Sequence, residues 1–411
     1  MSEKTAIATA IFILTYVLIT VQKIPGIKLD RPAGVSIGAM LMVLTGVITL
    51  EEAYGFIDLN TISFLLGMMI LISYLKLSGF FEFMAFWIVK LSKTTSRMLL
   101  LIVFSSGVLS ALFVNDTVCL LFTPIILSAT RSTQTNPVPF LIAVATASNI
   151  GSVATITGNP QNMFIGVRSG IPFTSFLAKM LPISVVGLLL NYFILRLIYG
   201  KEINQKPLFT HGIRKPLVDK ILVIKSLSTL LFVFGLFVYG VFYPLAALIG
   251  GALILLIGAI EPSLAFREVN WTLLLFFSAL FVVMGGVEKA GVGEILLDRA
   301  FPILKYHSWK SVFVISTLVL VLSNLVSNVP AVMLFAPYVD ITPDPQKVWL
   351  ILAMSSTLAG NLTLVGSIAN LIVAEIAKEG GVTIRFMEYL KVGVPLTLIT
   401  TIAGILWLLI A

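Results

Sequence analysis

The sequence predicts an all-α polytopic membrane protein made of two inverted-topology repeats. Each repeat has five transmembrane helices plus one re-entrant hairpin, with broken helices at the membrane midplane. Three observations predict it: a composition that is 58% hydrophobic and 11% charged, a series of long apolar segments divided by short polar links, and a match of the chain with itself at a shift of about 210 residues. Soluble domains carry about 25% charged residues, so a water-soluble enzyme is excluded. The net charge of +8 resembles a nucleic-acid signal, but the basic residues sit in the links between apolar segments. They are read as topology information, and no nucleic-acid partner is expected. One cysteine, Cys119, rules out an intrachain disulfide and a cysteine-based metal site, and the two histidines, His211 and His307, offer little for metal or general-base chemistry. No cofactor and no metal site is expected.

The apolar segments read as spans at 5–22, 33–50, 59–77, 138–165 and 180–199, then at 221–241, 245–260, 271–287, 347–377 and 389–410. The first lacks a small-residue cleavage pattern before Lys23, so it is read as a span and not as a signal peptide. Two further stretches, 98–128 and 309–339, are too long for one crossing and carry polar centres at Ser110, Asn115 and Asp116 and at Ser323, Asn324, Ser327 and Asn328. Each is drawn as a hairpin that enters and leaves on one side with its polar tip buried in protein. The aromatic segment 80–91 and its counterpart 290–305 are placed along the membrane interface, with Glu82, Glu288 and Glu294 facing solvent. Most lysines and arginines, Arg31, Lys76, Arg131 and the central loop 196–225 among them, fall on one side of this arrangement. That side is read as cytoplasmic, which puts both termini on the exterior side of the cytoplasmic (inner) membrane.

Setting 110–124 over 323–337 aligns Ser110 with Ser323, Asn115 with Asn328 and Pro124 with Pro337 at a shift of 213, and setting 145–164 over 353–372 aligns Ser148 with Ser356, Thr155 with Thr363, Gly158 with Gly366 and Asn162 with Asn370 at 208. Asp58 and Asn60 pair with Glu268 and Asn270 at 210. Because Asn, Ser, Gly and Pro carry the match, we read a duplication: a first repeat at 1–200, a cytoplasmic linker at 201–217 and a second repeat at 218–411. An odd number of crossings per unit inverts the second copy, a design whose binding site lies between the copies. In each copy one span is interrupted, by GSVATITGNP and by AGNLTLVGS. Asn159 and Ser367 are the expected N-caps of the outgoing half-helices. Helix N-termini at these caps and after the hairpin tips offer partial positive charge to bound oxygen atoms.

The segments FVNDTVCLLFTPI, SNIGSVATITGNPQN, SNVPAVMLFAPY and NLTLVGSIANLIVAEIA resemble the ion transporter superfamily, and within it the arsenical-resistance permease (ArsB) type and close anion-permease relatives. The resemblance covers the whole chain. It implies a secondary transporter in which hairpins and broken helices move against a scaffold, and in some members a cytoplasmic ATPase subunit. Sodium-coupled dicarboxylate carriers of the superfamily have a Ser-Asn-Thr tip on each hairpin. Here the tips read Val114-Asn115-Asp116 and Ser327-Asn328-Val329. A carboxylate 4 Å from a bound anion costs roughly 4 kcal/mol per charge pair at an effective dielectric of 20, about three decades in affinity. A neutral hydroxide escapes that cost.

The expected function is therefore export of trivalent arsenite or antimonite hydroxides in exchange for protons. The alternative is sodium/proton antiport or sodium- or proton-coupled transport of a small anion. The expected substrate-binding residues are Asn115, Asp116, Ser148, Asn149, Gly158, Asn159, Ser327, Asn328, Thr363, Gly366, Ser367 and Asn370. Asp116 is also the proton-coupling group, since an acid inside the membrane is costly and functional by default. Cys119 is read as packing and not as a metalloid ligand, which would need several thiolates, and Glu375 is placed near the exit interface. The expected partners are a small-molecule or ion substrate, the lipid bilayer, the ATPase subunit that the resemblance implies, and a second copy of the chain as a homodimer.

Overall fold

In the computed structural model, residues 2–20, 30–203, 215–292 and 309–410 are described. Every regular element among them is a helix. Most of the segment 290–305 with Glu294, most of the linker 201–217, both histidines and Lys23 lie outside the described residues.

The helices of the first half are α1 (Glu3–Thr20), α2 (Arg31–Leu44), α3 (Leu50–Phe56), α4 (Leu59–Leu77), α5 (Phe80–Leu91), α6 (Thr95–Leu112), α7 (Asn115–Ser132), α8 (Val138–Ser152), α9 (Pro160–Ser169) and α10 (Phe173–Ile198). The short α11 (Gly200–Ile203) precedes the second half: α12 (Lys220–Tyr239), α13 (Tyr243–Ile257), α14 (Pro262–Arg267), α15 (Trp271–Lys289), α16 (Trp309–Val326), α17 (Asn328–Val339), α18 (Pro345–Ala359), α19 (Ile368–Glu379) and α20 (Phe386–Ile410). From α12 onward the order of the described helices echoes that from α1 onward, apart from α5, whose counterpart segment lies mostly outside the described residues, and α17 is shorter than α7. Asp58 caps α4 by accepting from the Asn60 and Thr61 amides, and Asn270 caps α15 by accepting from Leu273. By capping role Asp58 therefore corresponds to Asn270, a shift of 212, where the residue types alone had paired it with Glu268.

Eight described helices are long and apolar enough to cross a membrane unaided, and two of them, α6 and α16, are the ingoing arms of the expected hairpins. The α6–α7 and α16–α17 pairs each turn back at a non-helical residue, Val114 and Ser327, the latter at φ 85°. The expected broken spans are α8 with α9 and α18 with α19, while α2 and α13 are shorter apolar helices. Contacts between helix ends sort onto two faces. On one, Thr95 donates to the Ile203 carbonyl (2.9 Å), Asn136 to Glu202 (2.6 Å) and Arg131 to the Gly380 carbonyl. On the other, Tyr243 donates to the Ile171 carbonyl (2.6 Å) and Trp407 to that of Lys179 (2.7 Å). Helices α4 and α15 run antiparallel: Lys76 at the end of α4 pairs with Glu268 just before α15, and Lys289 at the end of α15 pairs with Glu52 just before α4.

Segment 80–91 forms α5, which packs on α6 and α7 and sets Phe81 edge-on to Phe113 at 5.1 Å. Glu82 was expected to face solvent, but its Oε2 is buried with no hydrogen-bond partner because α5 leans on the hairpin and not on open interface. Glu288 and Glu375 are exposed. The hairpin is held against the broken helix by backbone contact. A Cβ on Gly151 of α8 would lie 2.0 Å from the Gly107 carbonyl oxygen of α6, so only glycine permits the approach. Gly151→Ala must push α6 and α8 apart at an overpacking cost of about 1–3 kcal/mol. Thermal unfolding in detergent should show a clear drop for Gly151→Ala and none for Gly55→Ala, where a Cβ meets nothing within 4 Å.

Candidate functional site

The chain between α8 and α9 leaves the helix at Val153 and re-enters it at Asn159, whose side chain accepts from the Asn162 amide. Pro160 occupies the first helical position, where its missing N–H costs nothing. The chain between α18 and α19 does the same from Gly360 to Ser367, which accepts from the Ala369 amide. In the first turn after each loop an asparagine takes up the freed carbonyls. Asn162 donates to the Ser152 and Thr155 carbonyls at 3.1 and 2.9 Å. Asn370 donates to those of Gly360 and Thr363 at 2.6 and 3.1 Å. Donors and acceptors are all related by a shift of 208.

The two loops are also tied to one another. Asn159 donates to Thr357 Oγ1 of α18 at 3.2 Å, and Ser367 donates to Asn149 Oδ1 of α8 at 3.1 Å, so each cap bonds to the half-helix of the other break at the same shift. Asn149, 1% exposed, is the centre. Its Oδ1 also accepts from Asn115 Nδ2 at 2.9 Å, and its Nδ2 donates to Asn361 Oδ1 at 2.9 Å and Asn370 Oδ1 at 3.0 Å. Two bonds accepted and two donated exhaust a carboxamide. The first hairpin joins through its backbone as well, since the Asn115 amide donates to the Gly158 carbonyl at 3.0 Å. On the second, Thr363 donates to Asn324 Oδ1 at 3.0 Å.

Beside this junction lies a cavity of about 300 Å³ lined by Asp116 and Thr117 of α7, Ser73 and Lys76 of α4, Glu268 and Asn270 before α15, and apolar side chains including Ile368. Helices α7 and α19 run side by side, and both N-termini reach this cavity. Their dipoles favour oxygen atoms there, while the first three amides of α7 are already spent, Asn115 on the Gly158 carbonyl, Asp116 on Asn115 Oδ1 and Thr117 on the Val114 carbonyl. Asp116 interacts electrostatically with Arg31 at the start of α2. Arg31 also donates to Ser327 Oγ at 3.4 Å and to the Val365 carbonyl at 3.3 Å, both beside the second hairpin tip and the second break.

The structure thus gathers Asn115, Asn149, Asn159, Ser367 and Asn370 into one network, with Gly158 as a backbone acceptor. Gly366 packs against the Asn324 amide. Ser148 and Asn328 are buried, each with an unpartnered side-chain oxygen. Of the residues expected to bind substrate, Asp116 alone lines the cavity, and behind it Asn149, Asn115 and Asn370 spend hydrogen bonds on one another, while Asn328 and Asn162 keep an unpartnered Oδ1. Cys119 is fully buried. Three contributors escape the sequence reading. Asn361 aligns with Val153, so the repeat search passes over it. Thr357 aligns with Asn149 and is no identity. Arg31 was counted as a loop charge, and no motif marks it.

Residues 16–344 match the family described as Citrate transporter (CitMHS). Among curated proteins, the chain is 33% identical to a 46 kDa membrane protein of Mycobacterium leprae (strain TN), covering 98% of each. It is 30% identical to a silicon efflux transporter of Oryza sativa subsp. japonica, covering 98% of this chain and 97% of that one, and 28% identical to a putative transporter arsB of Dictyostelium discoideum, covering 97% and 90%. Among solved structures, the YdaH transporter of Alcanivorax borkumensis shares the fold with a TM-score of 0.54 at 13% identity, covering 100% of this chain and 98% of that one.

Asn149→Ala strands Asn115, Ser367, Asn361 and Asn370, at about 1–3 kcal/mol for each buried group left unsatisfied. The expected outcome is a large loss of thermal stability in detergent, far beyond that of Cys119→Ser, which removes one weak contact to the Val144 carbonyl.

Proposed function

The chain belongs to the CitMHS citrate transporter family and is a multi-pass membrane transporter, and from that premise we propose that it exports small neutral oxyacids, namely the trivalent hydroxides of arsenic and antimony, in exchange for protons. The observation that carries this reading is the charge balance of the cavity. The one unpaired carboxylate on its wall, Asp116, feels the positive charge of Arg31, which stands outside the lining, and the lining pair Lys76 and Glu268 cancel each other. With Asp116 ionised the charges around the site balance once Arg31 is counted, and Thr117, Ser73, Asn270 and the N-terminus of α19 offer hydrogen bonds to hydroxyl groups. A volume near 300 Å³ leaves room for a trihydroxide with some hydration. A relative named for silicon efflux, matched over nearly its full length, supports a hydroxide cargo.

A second reading follows from Arg31 and from the family's description. With Asp116 protonated, the guanidinium leaves the site positive and suited to a small anion. Arg31 therefore reduces the anion penalty deduced from Asp116 alone. Sodium/proton antiport draws on the same acid.

The two halves are proposed as inverted repeats, supported by the antiparallel run of α4 and α15 and by hydrogen bonds that recur at a shift of 208. The face bearing Lys76 and Arg131 is taken as cytoplasmic by its charge, in a cytoplasmic (inner) membrane with both termini outside. Hairpins and broken helices, joined through Asn149, would move as one unit against α1, α2, α4, α12, α13 and α15. This cycle needs one chain and a proton gradient, and neither an ATPase subunit nor a homodimer enters it.

Inverted vesicles under an imposed proton gradient should accumulate arsenite. Asp116→Asn should abolish that accumulation while leaving thermal stability intact. Accumulation of citrate but not arsenite would favour the anion reading, and strict sodium dependence would overturn proton exchange.

A further inference from the structure

We propose that Arg31 is the positioning residue that makes transport obligatorily coupled, by latching the empty, ionised carrier. The proposal rests on the reading of Asp116 as the coupling acid. An exchanger wastes its gradient if the empty carrier with an ionised acid can reorient, because the cargo then moves without a proton returning. Something must hold that one species still and release it once a proton or a cargo arrives.

Arg31 sits where such a device has to be. It belongs to α2, which packs on α1 and α15 outside the joined unit. It donates to two groups of that unit, Ser327 Oγ on the second hairpin and the Val365 carbonyl in the second break, and its charge acts on Asp116 of the first hairpin. One side chain therefore bridges scaffold to moving parts from both halves of the chain. Ser327 and Val365 are neutral acceptors whose bonds to Arg31 do not change with pH. The Asp116 attraction is present when the carboxylate is ionised and vanishes when it takes a proton, so protonation weakens the bridge. A hydroxide cargo lodged between Asp116 and the N-terminus of α19 engages the same carboxylate and loosens the bridge in the proton's place.

The other charged groups near Asp116 do not substitute for Arg31. Lys76 and Glu268 line the same cavity but are paired with each other on the scaffold. Cys119 lies one turn along α7 and is buried. On the helices packed against α7, α5 carries Glu82 and Lys90, α6 carries Arg97, and α19 carries Glu375, Lys378 and Glu379, none of which lines the cavity.

The test needs no cargo. In a Cys119→Ser background, Thr117→Cys places one thiol on the cavity wall, and a membrane-impermeant maleimide is applied to either face of reconstituted vesicles. Labelling rates from the two faces are compared at each pH, which cancels the thiol's own titration. With Arg31 present, alkaline pH should give labelling at least about tenfold faster from the Lys76 face, a bias worth little more than one decade of equilibrium, and acidic pH should give labelling from both. Arg31→Gln and the volume-conserving Arg31→Met should label from both faces at every pH, and Arg31→Lys should restore the alkaline bias. A folded Arg31→Gln or Arg31→Met chain that keeps the alkaline bias overturns the latch, as does a bias in the Arg31 chain that ignores pH. Asp116→Asn separates the two ideas: if it still shows the pH-dependent bias, the reading of Asp116 fails, whereas loss of bias in Asp116→Asn with retention in Arg31→Gln sinks the latch alone.

Discussion

Everything in this molecule turns on a carboxamide that the membrane leaves no choice about. A broken helix inside hydrocarbon exposes backbone groups that no water can satisfy, so the break survives only where protein supplies every missing partner. The Asn149 side chain sits between two such breaks and spends both its acceptor and both its donor positions on Asn115, Ser367, Asn361 and Asn370. Asn162 and Asn370 meanwhile return the freed carbonyls of their own loops to hydrogen bonding. Because the cap of each break bonds to the half-helix of the other, neither loop can be completed without its counterpart. A satisfied buried amide network is rigid, and a half-satisfied one is worse than none. The hairpin tips are drawn into the same structure, so helices far apart in sequence are fastened into one body.

That rigidity has a consequence for the chemistry. Amides committed to each other are not available to a solute, and the proposed reading gives that role to groups at the edge of the network: the Asp116 carboxylate, nearby hydroxyls and the N-terminus of α19. The cavity at this edge is bounded on one side by the joined body and on the other by α4 and the start of α15. A solute held there touches both, and a carboxylate that gains or loses a proton changes what both feel. In the proposed cycle, coupling rests on the attraction between one carboxylate and one guanidinium, which a proton switches off.

The legible part of this fold was what repetition and composition record. Two apolar stretches with polar centres read as hairpins, and two interrupted spans read as breaks. The structure puts helix ends and caps at Asn115, Asn159 and Ser367, the places where the residue types allow little else. The site was harder. The sequence placed Asn149 and Asn370 near a substrate because polar residues in a membrane invite that reading, yet their hydrogen bonds are internal. Asn361 stayed hidden because its counterpart is Val153, so a symmetric alignment discards the one amide that breaks symmetry. Arg31 stayed hidden because an arginine near a span end is ordinary topogenic charge until tertiary structure brings its charge to bear on Asp116 and its side chain onto Ser327. Glu82 was misplaced for a related reason: a short aromatic helix looks interfacial until the hairpin it leans on is known.

The central claim is that the Asn149 junction fuses hairpins and broken helices from both halves into one moving body. Distance measurements between spin labels test it most directly, with labels on exposed positions and the buried Cys119 left in place. Labels at Ser132 on α7 and Glu379 on α19 should give one narrow distance at acidic and alkaline pH alike. Labels at Ser132 and Arg267, the latter at the end of α14 on the scaffold, should give a distance that changes between the two. A Ser132 to Glu379 distance that itself splits or shifts with pH would show the halves moving apart and would contradict the account.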